Sequence, residues 1–253
     1  MIEPSRMLVW FSCGAASAVA AKIATAEYAS EFSVEVCYCD LLADEHPDNL
    51  RFLQDVEAWI GQPIRLLRSP KYRTIHEVFR GERYVVGPRG APCSRLLKQR
   101  VRVAYQRPGD VHVLGFTAEE GARAKRFASR WPELDEERIL IDRGIPKEDC
   151  HHMLCRAGIE QPMMYRLGYH NNNCLGCVKG GMGYWNQIRK DFPGRFAEMA
   201  RIEREIGATI LRRRGQRVYL DELDPQVGRH DKLDIGDCGL FCEARLAAIG
   251  GCR

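Results

Sequence analysis

No stretch of this 253-residue chain approaches the roughly 20 consecutive apolar residues of a membrane-spanning helix. A membrane partner is therefore not expected. The opening residues Met1-Ile2-Glu3-Pro4-Ser5-Arg6 lack the pattern of a secretory signal, so the expected compartment is the cytoplasm. Internal repeats and low-complexity tracts are missing, which argues against a solenoid or a disordered chain. Neither GxxxxGKS/T nor GxGxxG occurs. An ordinary P-loop and the dinucleotide fingerprint are thereby excluded. Neither sign of charge dominates. The net charge of +4 permits a polyanionic partner without demanding one.

What is present is a full core's worth of apolar residues, 45% of the chain, and 11 cysteines. Cytosolic thiols stay reduced, so clustered ones point to metal binding or chemistry rather than to disulfides. The chain opens with a hydrophobic run, Met7 to Phe11, that reads as a buried strand. The small residues Ser12-Cys13-Gly14-Ala15-Ala16-Ser17 follow, and then an alanine-rich helix. A helix start has backbone N–H groups without intrahelical partners and the positive end of the macrodipole. Small side chains there let a phosphate reach the backbone.

Further strands are expected at Val34–Asp40, Pro63–Leu67 and Val111–Phe116, with helices at Asn49–Ile60 and Ser94–Tyr105. Strands alternating with helices imply a parallel α/β sheet. Ligands sit beyond the carboxyl ends of such strands, so the loops after Phe11, Cys39 and Leu114 should share one pocket. Composition changes near residue 150. Residues 1–150 are expected to form the nucleotide-binding α/β domain and 151–253 a helical, cysteine-containing subdomain. Within the latter, Cys150–Ile159 and Tyr184–Ile206 read as helices, and Ile210–Leu220 as a basic hairpin turning at Gly215.

Four landmarks in order resemble the phosphoadenosine phosphosulfate (PAPS) reductase family of the PP-loop ATP pyrophosphatases. Ser12 to Ser17 stands where that superfamily has SGGxDS. Asp40 and Glu45-His46-Pro47-Asp48 match an acidic strand end and a FPET-like turn. Pro92-Cys93-Ser94-Arg95-Leu96-Leu97-Lys98 is similar to its Cys-Thr-x-x-x-Lys segment. Gly115 to Arg123, with Glu120, is similar to Gly-x-x-x-x-Glu-x-x-Arg. Cys13 replaces a loop glycine and Ala16 the usual acid. The resemblance covers roughly residues 7–190.

It implies a Rossmann-like sheet of the adenine nucleotide alpha-hydrolase kind, with helices on both faces. It also implies ATP as ligand, with Mg²⁺ on Asp40 or Glu45, and cleavage between the α and β phosphates. Ser12, Cys13, Gly14, Ala15, Ala16, Ser17, Asp40, Gly115, Glu120 and Arg123 become nucleotide-site candidates. Cys93, Lys98 and Cys238 become catalytic ones. Lys98, Arg123 and Lys125 would offset phosphate charge. The expected activity is adenylation of an acceptor for sulfur incorporation. That acceptor would be DNA, in phosphorothioation, or tRNA, with a cysteine desulfurase as sulfur donor. Reduction of adenylyl sulfate is an alternative, and so is a non-enzymatic docking module. A homo-oligomer is among the expected states.

Cys174-Leu175-Gly176-Cys177 has the composition of a metal knuckle, and Cys238 with Cys242 offers a second pair. The ligand set is drawn from Cys93, Cys174, Cys177, Cys238 and Cys242, for a 4Fe–4S cluster or Zn²⁺. Cys238 lies in a segment similar to the reductases' Glu-Cys-Gly-x-His, with Phe241 in place of the histidine. It is a nucleophile or a ligand. Cys13, beside a helix start, is either an activated thiol or a small residue filling the turn. Tyr184-Trp185 stack a base or pack in the core. Arg212-Arg213-Arg214 and Arg217 contact nucleic-acid phosphates or form a solvated tip.

Overall fold

The structure, a computed structural model, describes residues 5–87 and 90–228. β1 (Arg6–Phe11) is followed by α1 (Ala15–Glu27), β2 (Ser33–Cys39), α2 (Asp48–Ile60) and β3 (Arg65–Leu67). α3 (Ile75–Glu82) precedes a π-helical turn (Ser94–Gln99) that runs straight into α4 (Arg100–Tyr105). Next come β4 (Val111–Leu114), α5 (Gly121–Arg130), β5 (Asp135–Glu137), α6 (Ile139–Asp142) and α7 (Lys147–Arg156). α8 (Met163–Arg166), α9 (Met182–Asp191) and α10 (Pro193–Ile206) lead to a hairpin of β6 (Leu211–Arg213) and β7 (Gln216–Val218).

The five strands β1 to β5 form one all-parallel sheet in the order β3-β2-β1-β4-β5. The expected α/β, Rossmann-like architecture is therefore the observed one. β1 lies in the middle because it is the most apolar strand, and its Met7, Leu8 and Val9 are almost fully buried. Alternation divides its side chains. Met7, Val9 and Phe11 enter a core shared with α1, α2, α6 and α7. Leu8 and Trp10 point to the opposite face. The order reverses at β1, which has β2 on one side and β4 on the other. Connections diverge there and leave a crevice at the carboxyl ends of the strands.

A second core gathers α3, α9, α10 and the hairpin around Trp185, which is fully buried. It draws on both sides of residue 150, because Leu41, Val78, Phe79 and Leu96 belong to it. The helix expected over Tyr184–Ile206 is two helices. Phe192 leaves helical geometry and Pro193 begins the next helix, since proline is tolerated in a first turn but not inside a helix. The hairpin turns at Arg214 and Gly215, both with positive φ.

Candidate active site

The loop between β1 and α1 is stitched by its two serines. Ser17 Oγ donates to the Gly14 carbonyl at 2.9 Å and accepts from the Ser12 amide at 3.1 Å. The two hydroxyls also meet at 3.1 Å. Ser17 thus shapes the loop, and Ser12 is the serine that faces outward. Gly14 caps the helix in extended conformation with no side-chain bond, so the first-turn amides keep their polarity.

Cys13 sits at φ +53°, a conformation that glycine takes more easily. Its side chain is turned into the core and fully buried. Burial pushes the thiol well above its ordinary pKa, and Glu45 adds to the effect. Of the two readings of Cys13, the turn-filling one holds and the activated thiol does not. The crevice stays open because the sulfur points away from it.

Beside the loop, Gly115 directly follows β4. A Cβ there would lie 2.7 Å from the Ser17 amide nitrogen and 2.8 Å from its Cα. Only glycine lets this strand end lie against the first turn of α1. From the other side, Tyr165 sets its hydroxyl against the backbone of Ala15 and Asn172. Asn172 is 7% exposed. Its Nδ2 donates to the Cys13 carbonyl at 2.6 Å and to Asn49 Oδ1 at 2.9 Å. The asparagine loop is in this way tied to the left-handed residue of the β1–α1 loop.

These elements enclose a cavity of about 640 Å³ at the carboxyl end of the sheet. That is within the usual range for small-molecule sites. Ser12, Gly14, Ala16 and Ser17 line it, with Gly115, Glu120 and Arg123 from the β4 side. Cys13 and Ala15 are behind the wall, fully buried. Asp40 is not among the lining residues. Its carboxylate accepts from Arg68 Nε at 2.7 Å and from the Leu42 amide at 3.1 Å. Glu45 is closed off as well, accepting from Tyr38 at 2.7 Å and Asn49 at 2.6 Å. Burial raises the pKa of its carboxyl.

Four cations face the cavity: Lys98, Arg102, Arg123 and Lys147. Lys98 opens onto it yet is ringed by protein. Burial works against its ammonium, but Cys174, Glu45, Cys39 and Cys177 hold its pKa above the ordinary value. Arg123 pairs with Glu120 at 2.5 Å and lies over the Phe116 ring. Lys147 donates to the His170 carbonyl and to Asn171 Oδ1. Lys125 is not a lining residue. Sequence reasoning missed Arg102, Lys147, Tyr165 and Asn172, which carry no motif. The triple asparagine before Cys174 was the one available signal.

The CxxC turn is clipped by Tyr184, whose hydroxyl accepts from the Cys177 amide at 2.9 Å and donates to the Cys174 carbonyl at 3.1 Å. Tyr184 and Trp185 therefore serve the core rather than stack a base. Gly176 has φ +80°, and a Cβ there would meet Trp185 at 2.9 Å. Cys93 and Cys174 both pack on the second core. Burial raises the Cys93 thiol and Cys177 adds to it; burial likewise raises Cys174. Cys93, Cys174 and Cys177 are thus electrostatic neighbours around Lys98. Among the described residues, however, no three ligating side chains stand close enough together to hold a metal ion. Cys238 and Cys242 lie outside the described residues.

Cys39 also lines the cavity, with burial pushing its pKa up to about 11. Cys37 and Cys150, pushed up to about 12, are buried packing residues. No helix among the described residues is long and apolar enough to cross a membrane. No protein-family model matches this chain, and no curated protein matches it in sequence.

Proposed function

We propose that the cavity binds ATP and that the protein is an ATP pyrophosphatase of the PAPS reductase kind, adenylating an acceptor for sulfur incorporation. The observation that carries this reading is the crevice at the order reversal of the sheet. It joins a small-residue loop at a helix start to an exposed lysine on the cavity wall, with Cys174, Cys39 and Cys177 as that lysine's electrostatic neighbours. The amides of the Gly14–Ser17 turn suit the β and γ phosphates. Lys98 suits the charge that builds between the α and β phosphates.

The acceptor's oxyanion attacks the α phosphorus. A new P–O bond forms and the bond to the bridging β oxygen breaks. Pyrophosphate leaves with that electron pair, and the acceptor is left as its adenylyl ester. A sulfur nucleophile then displaces AMP. ATP enters as its Mg²⁺ complex, so the metal belongs to the substrate. The acceptor class favoured by this reading is nucleic acid, with the exposed Arg212, Arg213, Arg214 and Arg217 as a surface for its phosphates.

The test is release of pyrophosphate from ATP in the presence of candidate nucleic acids and Mg²⁺, with AMP counted in parallel. Stoichiometric pyrophosphate and AMP that vanish in Lys98→Met support the reading. Release of orthophosphate alone, or undiminished release by Lys98→Met, overturns it. Reduction of adenylyl sulfate in the same preparation would move the assignment to the reductase alternative.

A further inference from the structure

Arg102 is a buried cation with no anion. It is 7% exposed, and no carboxylate among the described residues lies within ion-pair distance of it. Its Nε and Nη2 are shut off from solvent and have no hydrogen-bond partner. The guanidinium instead lies 4.6 Å from the Trp131 ring centroid and 5.1 Å from that of Phe127. Two aromatic faces hold the planar group in place without satisfying its donors. Elsewhere the chain pairs its inner arginines readily. Arg6 bonds Asp110 at 2.7 Å, and Arg51 bonds both Asp48 and Asp55.

Arg102 belongs to the cavity wall, together with Lys98 four residues earlier and Trp10. That spacing places both cations on one side of the helix. Trp10 marks which side of the sheet this is. Phe11 faces the core under α1, so Trp10 and Arg102 lie on the opposite face of β1. The phosphate-type loop opens on the α1 side. One cavity therefore bends over the end of β1, with the loop amides on one side of the strand and the Arg102 guanidinium on the other.

We propose that Arg102 anchors a second oxyanion subsite in this cavity, across β1 from the loop, and that its ligand is a phosphate group. A preset guanidinium fork suits two phosphate oxygens at once. The phosphate is either a second one on the bound nucleotide or the phosphodiester of a separate acceptor. The inference rests on the nucleotide reading for what fills the loop, though not for the anion at Arg102.

Tryptophan fluorescence reads the site, because Trp131 touches the guanidinium. One arm titrates 5′-AMP against adenosine 3′,5′-bisphosphate. The other titrates a thymidine dinucleotide against its uncharged methylphosphonate analogue, with and without AMP. In the wild type, one probe gains at least tenfold in affinity from its extra phosphate. Arg102→Met loses the gain, and Arg102→Lys recovers part of it. A gain confined to the bisphosphate places the second phosphate on the nucleotide. A gain confined to the dinucleotide places it on the acceptor. Ligand-free Arg102→Met should melt no lower than wild type, since it removes a buried, unpaired charge. A lower melting temperature with unchanged affinities makes Arg102 a packing residue and overturns the proposal. So does a phosphate gain that is absent in wild type or survives in Arg102→Met. Failure of AMP to bind, with the dinucleotide gain intact and dependent on Arg102, refutes the nucleotide reading alone.

Discussion

Replacing Gly115 with alanine tests how the loop is held. The added methyl would meet the Ser17 nitrogen at 2.7 Å, the Ser17 Cα at 2.8 Å and the Ala16 carbonyl carbon at 3.0 Å. All three are backbone atoms of the first turn of α1, so no side chain can rotate away. Either β4 or the helix start must move. Overpacking of this kind costs about 1–3 kcal/mol. For a chain of this size that lowers the melting temperature by roughly 2–12 °C. The shift also displaces the amides offered to phosphate, so ATP affinity should fall about tenfold or more, well beyond what the stability loss explains. Gly121→Ala is the control. Gly121 is helical, a Cβ there meets nothing within 4 Å, and alanine should be neutral or stabilise by about 0.5–1 kcal/mol. Calorimetry and nucleotide titration on both variants decide the matter. If Gly115→Ala melts and binds like wild type, the loop does not depend on this contact and the packing argument is wrong.

Asn172→Ala removes the donor to the Cys13 carbonyl and to Asn49, and should cost about 1–3 kcal/mol in urea unfolding. An unchanged midpoint would show that the asparagine loop does not brace the turn. Glu203 is fully buried and accepts from the Ile210 amide at 2.5 Å and the Leu220 amide at 2.7 Å. Burial pushes its carboxyl up to about 7. The folded protein therefore binds more protons than the unfolded chain between about pH 4.5 and pH 7. Stability from this group is full below that window and falls by roughly 3 kcal/mol as pH rises through it. Glu203→Gln should flatten that part of the wild-type profile; parallel profiles would contradict the assignment. The Cys13 thiol should resist iodoacetamide in the native protein and react only on unfolding, as followed by peptide mass spectrometry. Rapid native labelling would mean that its side chain faces the crevice.

Legibility in the sequence followed burial. β1, β2 and β4 could be read because strands covered on both faces are nearly continuous apolar runs. β5 is Asp135-Glu136-Glu137, an edge strand held by pairing with β4, and no apolar pattern announces it. α5 has one fully buried residue, Ala124, so its apolar stripe is too thin to find. The loop at Ser12–Ser17 was legible from its small residues. The sign of the Cys13 shift was not, because a helix start lowers a thiol only when the sulfur faces it. Here the left-handed backbone turns the sulfur inward. Asp40 matched a motif but spends its charge on Arg68, a residue from the next strand end that only the sheet brings near. Arg102 looked like one arginine among several in a basic helix. Its missing partner is a property of three dimensions.

The most direct measurement is a crystal structure with a non-hydrolysable ATP analogue. The account predicts phosphate oxygens within hydrogen-bond distance of the Gly14–Ser17 amides and near Lys98, with the Cys13 sulfur still behind the wall. An analogue bound elsewhere on the molecule, or a crevice that stays empty at saturating concentration, would contradict it.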